Sequence, residues 1–158
     1  MNLLQALARQ PASYRLMLRT SGLAEWSEKA VRRLTKGRIG TLDLIGLSMI
    51  QLTVAGRKTG RPRTVSLQYI ADGQDLLVVG SNWARSRHPA WSSNLMAAKE
   101  VMVQRKGERF KAAVIHLTGP EREHAWRTIL EAWPNYEIAE SLSGGRQFRL
   151  FALTPLAR

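Results

Sequence analysis

Met49-Ile50-Gln51-Leu52-Thr53-Val54, then Ala55-Gly56-Arg57-Lys58-Thr59-Gly60-Arg61-Pro62-Arg63, then Thr64-Val65-Ser66-Leu67-Gln68-Tyr69-Ile70 is the stretch whose reading decides the fold. The first run is β-rich, and the last alternates polar with apolar residues as a half-buried strand does. Between them lies a short turn rich in glycine and cations. A connection this short forces antiparallel pairing, because parallel strands need a long crossover. Moving outward, Asp72-Gly73 is a strong turn signal, and Asp75-Leu76-Leu77-Val78-Val79-Gly80 supplies a third strand. Residues Val101–Gln104 and Arg109–Leu117, joined across Lys106-Gly107-Glu108, predict a second hairpin, and Gln147–Thr154 a closing strand.

Helical spacing appears around this sheet rather than within it. Ser27–Lys36 reads as a helix with Ser27 as N-cap, Ala30, Val31 and Leu34 at helical intervals, and Gly37 as the stop. Residues 3–19 form a partly amphipathic segment, with Leu3, Leu4 and Leu7 among basic residues, interrupted at Pro11. Pro89 suits a first helical position before Ala90–Ala98. Pro120–Trp133 carries an apolar stripe of Trp126, Ile129, Leu130 and Trp133. Helices segregated from antiparallel strands define an α+β fold able to close into a small barrel. No G-x-G-x-x-G motif supports a Rossmann fold.

The 158 residues suit one domain, with an N-terminal helical segment over 1–45 and a barrel over 46–158. At 44% hydrophobic and 23% charged, the chain can bury a core. It contains no cysteine, which excludes disulfides, thiolate nucleophiles and sulfur-bound zinc. No signal peptide or spanning segment is evident, so a cytoplasmic location is expected. The formal net charge is +12 and it is uneven. Residues 1–63 hold 12 Lys/Arg against Glu25, Glu28 and Asp43, a net +9, whereas residues 64–158 hold 12 against nine acids, a net +3. Such a basic N-terminal portion predicts a polyanionic partner: nucleic acid, an anionic membrane surface, or a ligand bearing phosphate or carboxylate.

His88, His116 and His124 lack metal-ligand spacing, and no paired carboxylates stand out, so neither a metal site nor carboxylate acid/base chemistry is expected. Lys58-Thr59-Gly60 lacks the Ser-x-x-Lys partner that would make it a penicillin-binding motif, and Gly37-Arg38-Ile39-Gly40 is too short to argue for a nucleic-acid clamp. Two segments carry more. Arg57, Lys58, Arg61 and Arg63 cluster around two glycines, which suits an anion-binding turn or a solvated hairpin tip. Ser81-Asn82-Trp83-Ala84, followed by His88-Pro89-Ala90-Trp91 and Asn94, joins a strand end to a helix start. That mixture suits a flat aromatic ligand with an anionic tail, although Trp91 and Leu95 also fit the buried face of a helix.

Together, Thr53–Arg63, the Asp72-Gly73 turn, Ser81 with its loop, and His88-Pro89-Ala90-Trp91-Ser92-Ser93-Asn94-Leu95 resemble the deazaflavin-dependent nitroreductase and quinone reductase family. These are split β-barrel, FMN-binding-like proteins of actinobacterial type that use the deazaflavin coenzyme F420. The likeness covers roughly residues 45–155; the N-terminal helices lie outside it and vary in such families, and two helices are expected to pack on the barrel. It implies that Arg57, Lys58 and Arg63 hold the coenzyme's phosphate and oligoglutamate tail, with Thr59 and Gly60 donating backbone hydrogen bonds. It further implies that Ser81, Asn82, Trp83 and Ala84 line the ring, and that His88, Pro89, Trp91 and Asn94 shape its pocket. Trp133-Pro134-Asn135-Tyr136 matches the family's aromatic segment over the substrate, so Trp83, Trp133 and Tyr136 are expected at the acceptor. Tyr136 is the expected hydrogen-bond or proton donor to the developing oxyanion, with Ser81 as second candidate.

The implied reaction is hydride transfer from the reduced coenzyme to a quinone, enone or nitro-heterocycle. Three positions depart from the family: Asn82-Trp83-Ala84 replaces a basic residue and two glycines, Ser66 replaces a proline, and Ala139 replaces a further aromatic. They bear on acceptor specificity. An FMN-using member of the same barrel class is an alternative, and a basic nucleic-acid-binding module with phosphate contacts over residues 29–63 is another. The basic, partly apolar N-terminus suggests peripheral contact with an anionic membrane, and either a monomer or a homodimer is compatible with the sequence.

Overall fold

The computed structural model describes residues 10–36, 38–44 and 46–157. Six antiparallel strands close into a barrel: β1 (Met49–Ala55), β2 (Pro62–Asp72), β3 (Asp75–Val79), β4 (Glu100–Arg105), β5 (Glu108–His116) and β6 (Leu150–Pro155), in the order β1-β2-β3-β6-β5-β4. The expected hairpin is present, with Met49 opposite Gln68 and Ala55 opposite Pro62. Closure comes from pairing β1 with β4, Gln51 opposite Gln104, and β3 with β6, Leu76 opposite Leu153. The closing strand begins at Leu150 rather than Gln147, the Phe148 N–H being taken by Glu140 Oε1 at 2.8 Å instead of by a strand.

Alternation along β1 sends Ile50, Leu52 and Val54 into the barrel, where they meet Leu76, Val78, Val101, Val103, Phe151 and Leu153. In β3 and β6 the residues between, Leu77, Val79, Leu150 and Ala152, face outward and are equally buried, because two helices cover that side. Those helices are α5 (Gly119–Ala132) and α6 (Asn135–Leu142). Burial on both faces explains why Leu76–Val79 is an unbroken apolar run. Ile129 and Trp133 of the expected stripe are buried there, and Trp126 packs edge-on against Phe148 at 6.4 Å. The second packing helix α6 was not evident as a helix in the sequence; it buries Asn135, Tyr136 and Ala139. Pro89 precedes rather than opens α4 (Ala90–Met96).

The N-terminal helices differ from expectation. Leu3, Leu4, Leu7 and Gly37 lie outside the described residues. Pro11 starts α1 (Pro11–Arg19), as a ring-fixed φ permits at a helix's first residue. Helix α2 spans Ser21–Leu34, so Ser27 is internal, its Oγ donating back to Ala24 O at 3.0 Å instead of capping. Its polarity is inverted: Ser21, Glu28 and Arg32 are buried, while Leu23, Trp26 and Leu34 face outward. Leu34, expected in the core, is 85% exposed.

A charge network explains the inversion. Arg32 Nε donates to Glu28, and its Nη2 donates to Asp43 of α3 (Thr41–Leu44) at 2.6 Å. Glu28 also accepts from Leu42 N at 3.0 Å, and Asp43 from Gly40 N at 2.8 Å. Gly40 is needed because a Cβ there would overlap the Glu28 carboxylate. The buried charges are therefore paired and hydrogen-bonded, the condition under which burial is tolerated. Arg32→Ala would leave two carboxylates facing each other. It is expected to cost on the order of 3 kcal/mol in urea unfolding, whereas Leu34→Ala changes stability by less than about 0.5 kcal/mol.

Candidate functional site

With α5 and α6 covering β3, β6 and the end of β2 at Ile70, the outer face of β1 and the first half of β2 is left for other use. Its outward residues Gln51, Thr64, Ser66 and Gln68 are polar, and they floor a cleft of about 930 Å³ under α2. Lys29 and Arg33 of α2 and Lys36 just past its end line one wall, and residues from Ser81 to Trp91, Ala84 and Ser86 excepted, line another. Helix α2 is tied across this space: Arg85 Nη2 donates to Ser21 Oγ at 3.3 Å and Gln104 Nε2 to Lys36 O at 3.3 Å. Trp133 and Tyr136 enter from the α5–α6 junction, and the Tyr136 hydroxyl donates to Gln68 Oε1 at 3.2 Å.

A second, smaller cavity adjoins the first at the tip of the β1–β2 hairpin. It is lined by Arg57, Lys58, Thr59 and Arg63 from the turn and by Asn94 from α4, and it shares Val65, Ala90 and Trp91 with the main cleft. The turn is pinned by Arg57 N donating to the buried Asn94 Oδ1 at 3.2 Å. Gly60 adopts φ +67°, where glycine avoids the Cβ clash. Thr59 N and Gly60 N both donate to Gly56 O, at 3.2 and 2.7 Å. The two backbone donors expected to face an anion are thus turned into the hairpin, which leaves that work to the Arg57, Lys58 and Arg63 side chains.

The loop after β3 has an unusual backbone. Asn82, Trp83 and Ala84 take φ of 50°, 54° and 59° in succession. Left-handed geometry costs roughly 1–2 kcal/mol for a residue with a Cβ, and only asparagine among these adopts it readily. The Asn82 side chain donates to Arg87 O at 2.8 Å. Arg146, which follows the Gly144-Gly145 pair, reaches behind this loop: Nη1 donates to Gly80 O at 2.9 Å, Nη2 to Ser81 O at 2.7 Å and to Arg85 O at 3.0 Å. Its guanidinium lies 4.7 Å from the Phe148 ring centre, and Nη1 is 3.1 Å from His88 Nδ1. Since arginine only donates, His88 Nδ1 must accept, which fixes the neutral tautomer with its proton on Nε2.

The structure brings Ser81, Asn82, Trp83, His88, Pro89, Trp91, Trp133 and Tyr136 to the main cleft, and Arg57, Lys58, Thr59, Arg63 and Asn94 to the smaller one; Trp91 borders both. Two expected residues stand apart. Ala84 packs against the helix-covered core, and Gly60 sits outside both cavities. Ser66 is on the cleft floor, whereas Ala139 is buried in the core and borders neither cavity. Sequence reasoning missed Gln68, which the polar positions of β2's alternation could have flagged, and the cations Lys29, Arg33 and Lys36. It also missed Arg146, for which no local signal exists.

An aromatic and polar cleft bordering a pocket lined by Arg57, Lys58 and Arg63 fits a coenzyme with a flat ring and an anionic tail. Carried on a six-stranded antiparallel barrel, this defines the class of split-barrel oxidoreductases. A family model described as F420H(2)-dependent quinone reductase matches residues 26–154. The F420H(2)-dependent quinone reductase Rv1261c of Mycobacterium tuberculosis is 34% identical over 118 residues, covering 71% of this chain and 79% of its own length. Among solved structures, the F420-H2 dependent reductase FDR-A superposes with a TM-score of 0.60 at 28% identity, over 67% of this chain and 93% of that one. A domain-swapped dimer superposes at 0.62 with 26% identity, over 81% and 96%. The chain belongs to the F420H(2)-dependent quinone reductase family. Its coenzyme is F420, in place of the FMN alternative.

Desolvation lowers the His88 pKa from its ordinary 6.5, and the nearby Arg149 and Arg146 charges lower it further. Folding therefore favours the neutral imidazole. The resulting stability is fully present above about pH 6.5 and is lost as pH falls through the lower folded value. An NMR titration of the imidazole should show a midpoint below 6.5; a midpoint at or above it contradicts the preference for the neutral ring argued from burial and the two arginines.

Proposed function

We propose that this chain reduces a quinone with F420H2, holding the ring of the coenzyme in the main cleft and its phosphate-bearing tail at Arg57, Lys58 and Arg63. The observation that carries the reading is the adjacency of the two cavities, which share Val65, Ala90 and Trp91 as a common border. Reduced F420, when bound, supplies a hydride as a two-electron donor. Arginine forks and a lysine ammonium satisfy phosphate and carboxylate oxygens, so the hairpin tip gives the +12 chain an anionic ligand without nucleic acid. Ser81, Asn82 and Trp83, with His88, Pro89 and Trp91, bound the ring's side of the cleft. Trp133 and Trp83 flank the acceptor and exclude water, so that ring and acceptor meet at reactive distance.

Tyr136 serves as the donor to the acceptor oxygen. Its hydroxyl is held at the cleft by Gln68, and exchanging Gln68 Oε1 for a quinone oxygen places an O–H where negative charge develops. Ser81 is the second candidate; among the described residues its Oγ has no protein partner, so the hydroxyl is free to turn toward a ligand.

The outward apolar face of α2 favours a peripheral partner as well. Leu23 and Trp26 are each 68% exposed, and Arg33 and Lys29 flank them on the same helix. A cationic helix with an exposed apolar stripe suits an anionic lipid surface, where quinones reside. Among the described residues no helix is long and apolar enough to cross a membrane, so the contact would be interfacial.

Fluorescence titration with oxidised F420 beside FMN is expected to give saturable, tighter binding of F420, weakened at least about tenfold by the double substitution Arg57→Ala, Lys58→Ala. Tyr136→Phe should leave that affinity nearly unchanged and slow quinone reduction by roughly 100-fold. Failure to bind F420 overturns the reading. Sedimentation with vesicles should show binding to anionic but not zwitterionic lipid, reduced by Leu23→Ser, Trp26→Ser. No binding at low salt, or a dimer in solution that buries this face, removes the membrane contact.

A further inference from the structure

Three consecutive residues with side chains hold a left-handed backbone at the centre of the cleft wall, and only the first of them is of a type that adopts it readily. Something outside the loop must therefore hold it. Hydrogen bonds within the loop are few: Ala84 N to Ser81 O and Arg85 N to Asn82 O, both 3.1 Å, and Asn82 Nδ2 to Arg87 O at 2.8 Å. The carbonyls of Gly80, Ser81 and Arg85, two before the run and one after it, converge on the Arg146 guanidinium instead. Three carbonyl dipoles aimed at one point repel one another unless a cation sits among them.

Arg146 is suited to that place and to no ion pair. Among the described residues no carboxylate lies within 4.0 Å of it, so its donors are spent on backbone and on His88. Its plane packs over Phe148, which is 1% exposed and whose N–H is held by Glu140 Oε1 at 2.8 Å. Ser143 Oγ donates its single proton chiefly to Glu140 O at 2.7 Å, with Arg146 O at 3.2 Å as a weaker second acceptor, which ties the Arg146 backbone to the end of α6. The guanidinium is therefore aimed before it meets the loop.

We propose that Arg146 is the positioning residue of the coenzyme site: its fork holds the left-handed run Asn82–Ala84 in the backbone path that presents Ser81 and Trp83 to the cleft. The proposal rests on the reading that this loop borders the ring of F420. Arg146 does not itself line the cleft. It acts through the loop, by keeping the competent conformation populated before the ligand arrives. Without it the loop relaxes toward ordinary backbone geometry, and affinity falls by the fraction of molecules no longer competent. A lysine keeps the charge but not the planar fork, so charge alone does not restore the function.

The test compares Arg146→Gln, Arg146→Lys and Ala84→Gly, singly and as R146Q/A84G. Ala84 packs on the core rather than the cleft, and glycine there removes the left-handed penalty without touching a ligand. Amide hydrogen exchange on the coenzyme-free protein is read at residues 80–88, beside F420 affinity by fluorescence. R146Q is expected to speed exchange over that loop while the barrel strands stay protected, and to weaken F420 about tenfold. R146K should do nearly the same. R146Q/A84G should recover about fivefold, whereas A84G alone changes little because the loop is already in place.

Unchanged exchange in R146Q, full function in R146K, or no recovery with glycine overturns the proposal. Should R146Q fail to fold, R146K carries the same comparison. If the wild type binds no F420, the functional reading fails by itself, and the exchange measurement still decides whether Arg146 holds the loop.

Discussion

The pairing of β3 with β6 is the constraint on which the rest depends. Leu76 to Val79 lie opposite Leu153 to Leu150, and this ladder turns an antiparallel sheet into a closed barrel. It also buries both strands on both faces, since Leu76 and Val78 fill the interior while Leu77 and Val79 require a cover. Helices α5 and α6 supply that cover, α5 extending over the end of β2 at Ile70. The outer face of β1 and the first half of β2 is what remains, and its polar residues can only meet water, a ligand or a helix that brings its own charges. Site location thus follows from which strands needed to be buried twice.

How much of this was legible in the sequence depended on how local each signal was. The β1–β2 hairpin was plain because alternation and a glycine-rich turn fall within 22 consecutive residues, Met49 to Ile70. Helix α5 was found through its stripe. The polarity of α2 was not, because amphipathic reasoning sends apolar residues inward, and here Glu28 and Arg32 go inward with Asp43, a partner from another helix. Spacing cannot foresee a paired charge that arrives from elsewhere in the chain.

The site divides the same way. The cationic turn and the Ser81–Asn94 segment were visible as residue types and as a family resemblance. Gln68 and Tyr136 are 68 residues apart, and Arg146 meets Ser81 across 65. Moreover, Arg146 recognises carbonyls, which every residue has, so nothing at positions 80, 81 or 85 advertises the contact. The expected Thr59 and Gly60 donors failed for a related reason: a turn this tight uses its own N–H groups to close.

A closed barrel has no first or last strand. Every one of the six is hydrogen-bonded to a neighbour on each side, but only along part of its length. Where the barrel splits, Pro62–Gln68 of β2 pair with β1 alone and Glu108–Phe110 of β5 with β4 alone. Such half-paired stretches are where sheet extension by another chain would begin, and Pro62, Arg63 and Arg109 blunt them in the way prolines and charges guard natural sheet edges.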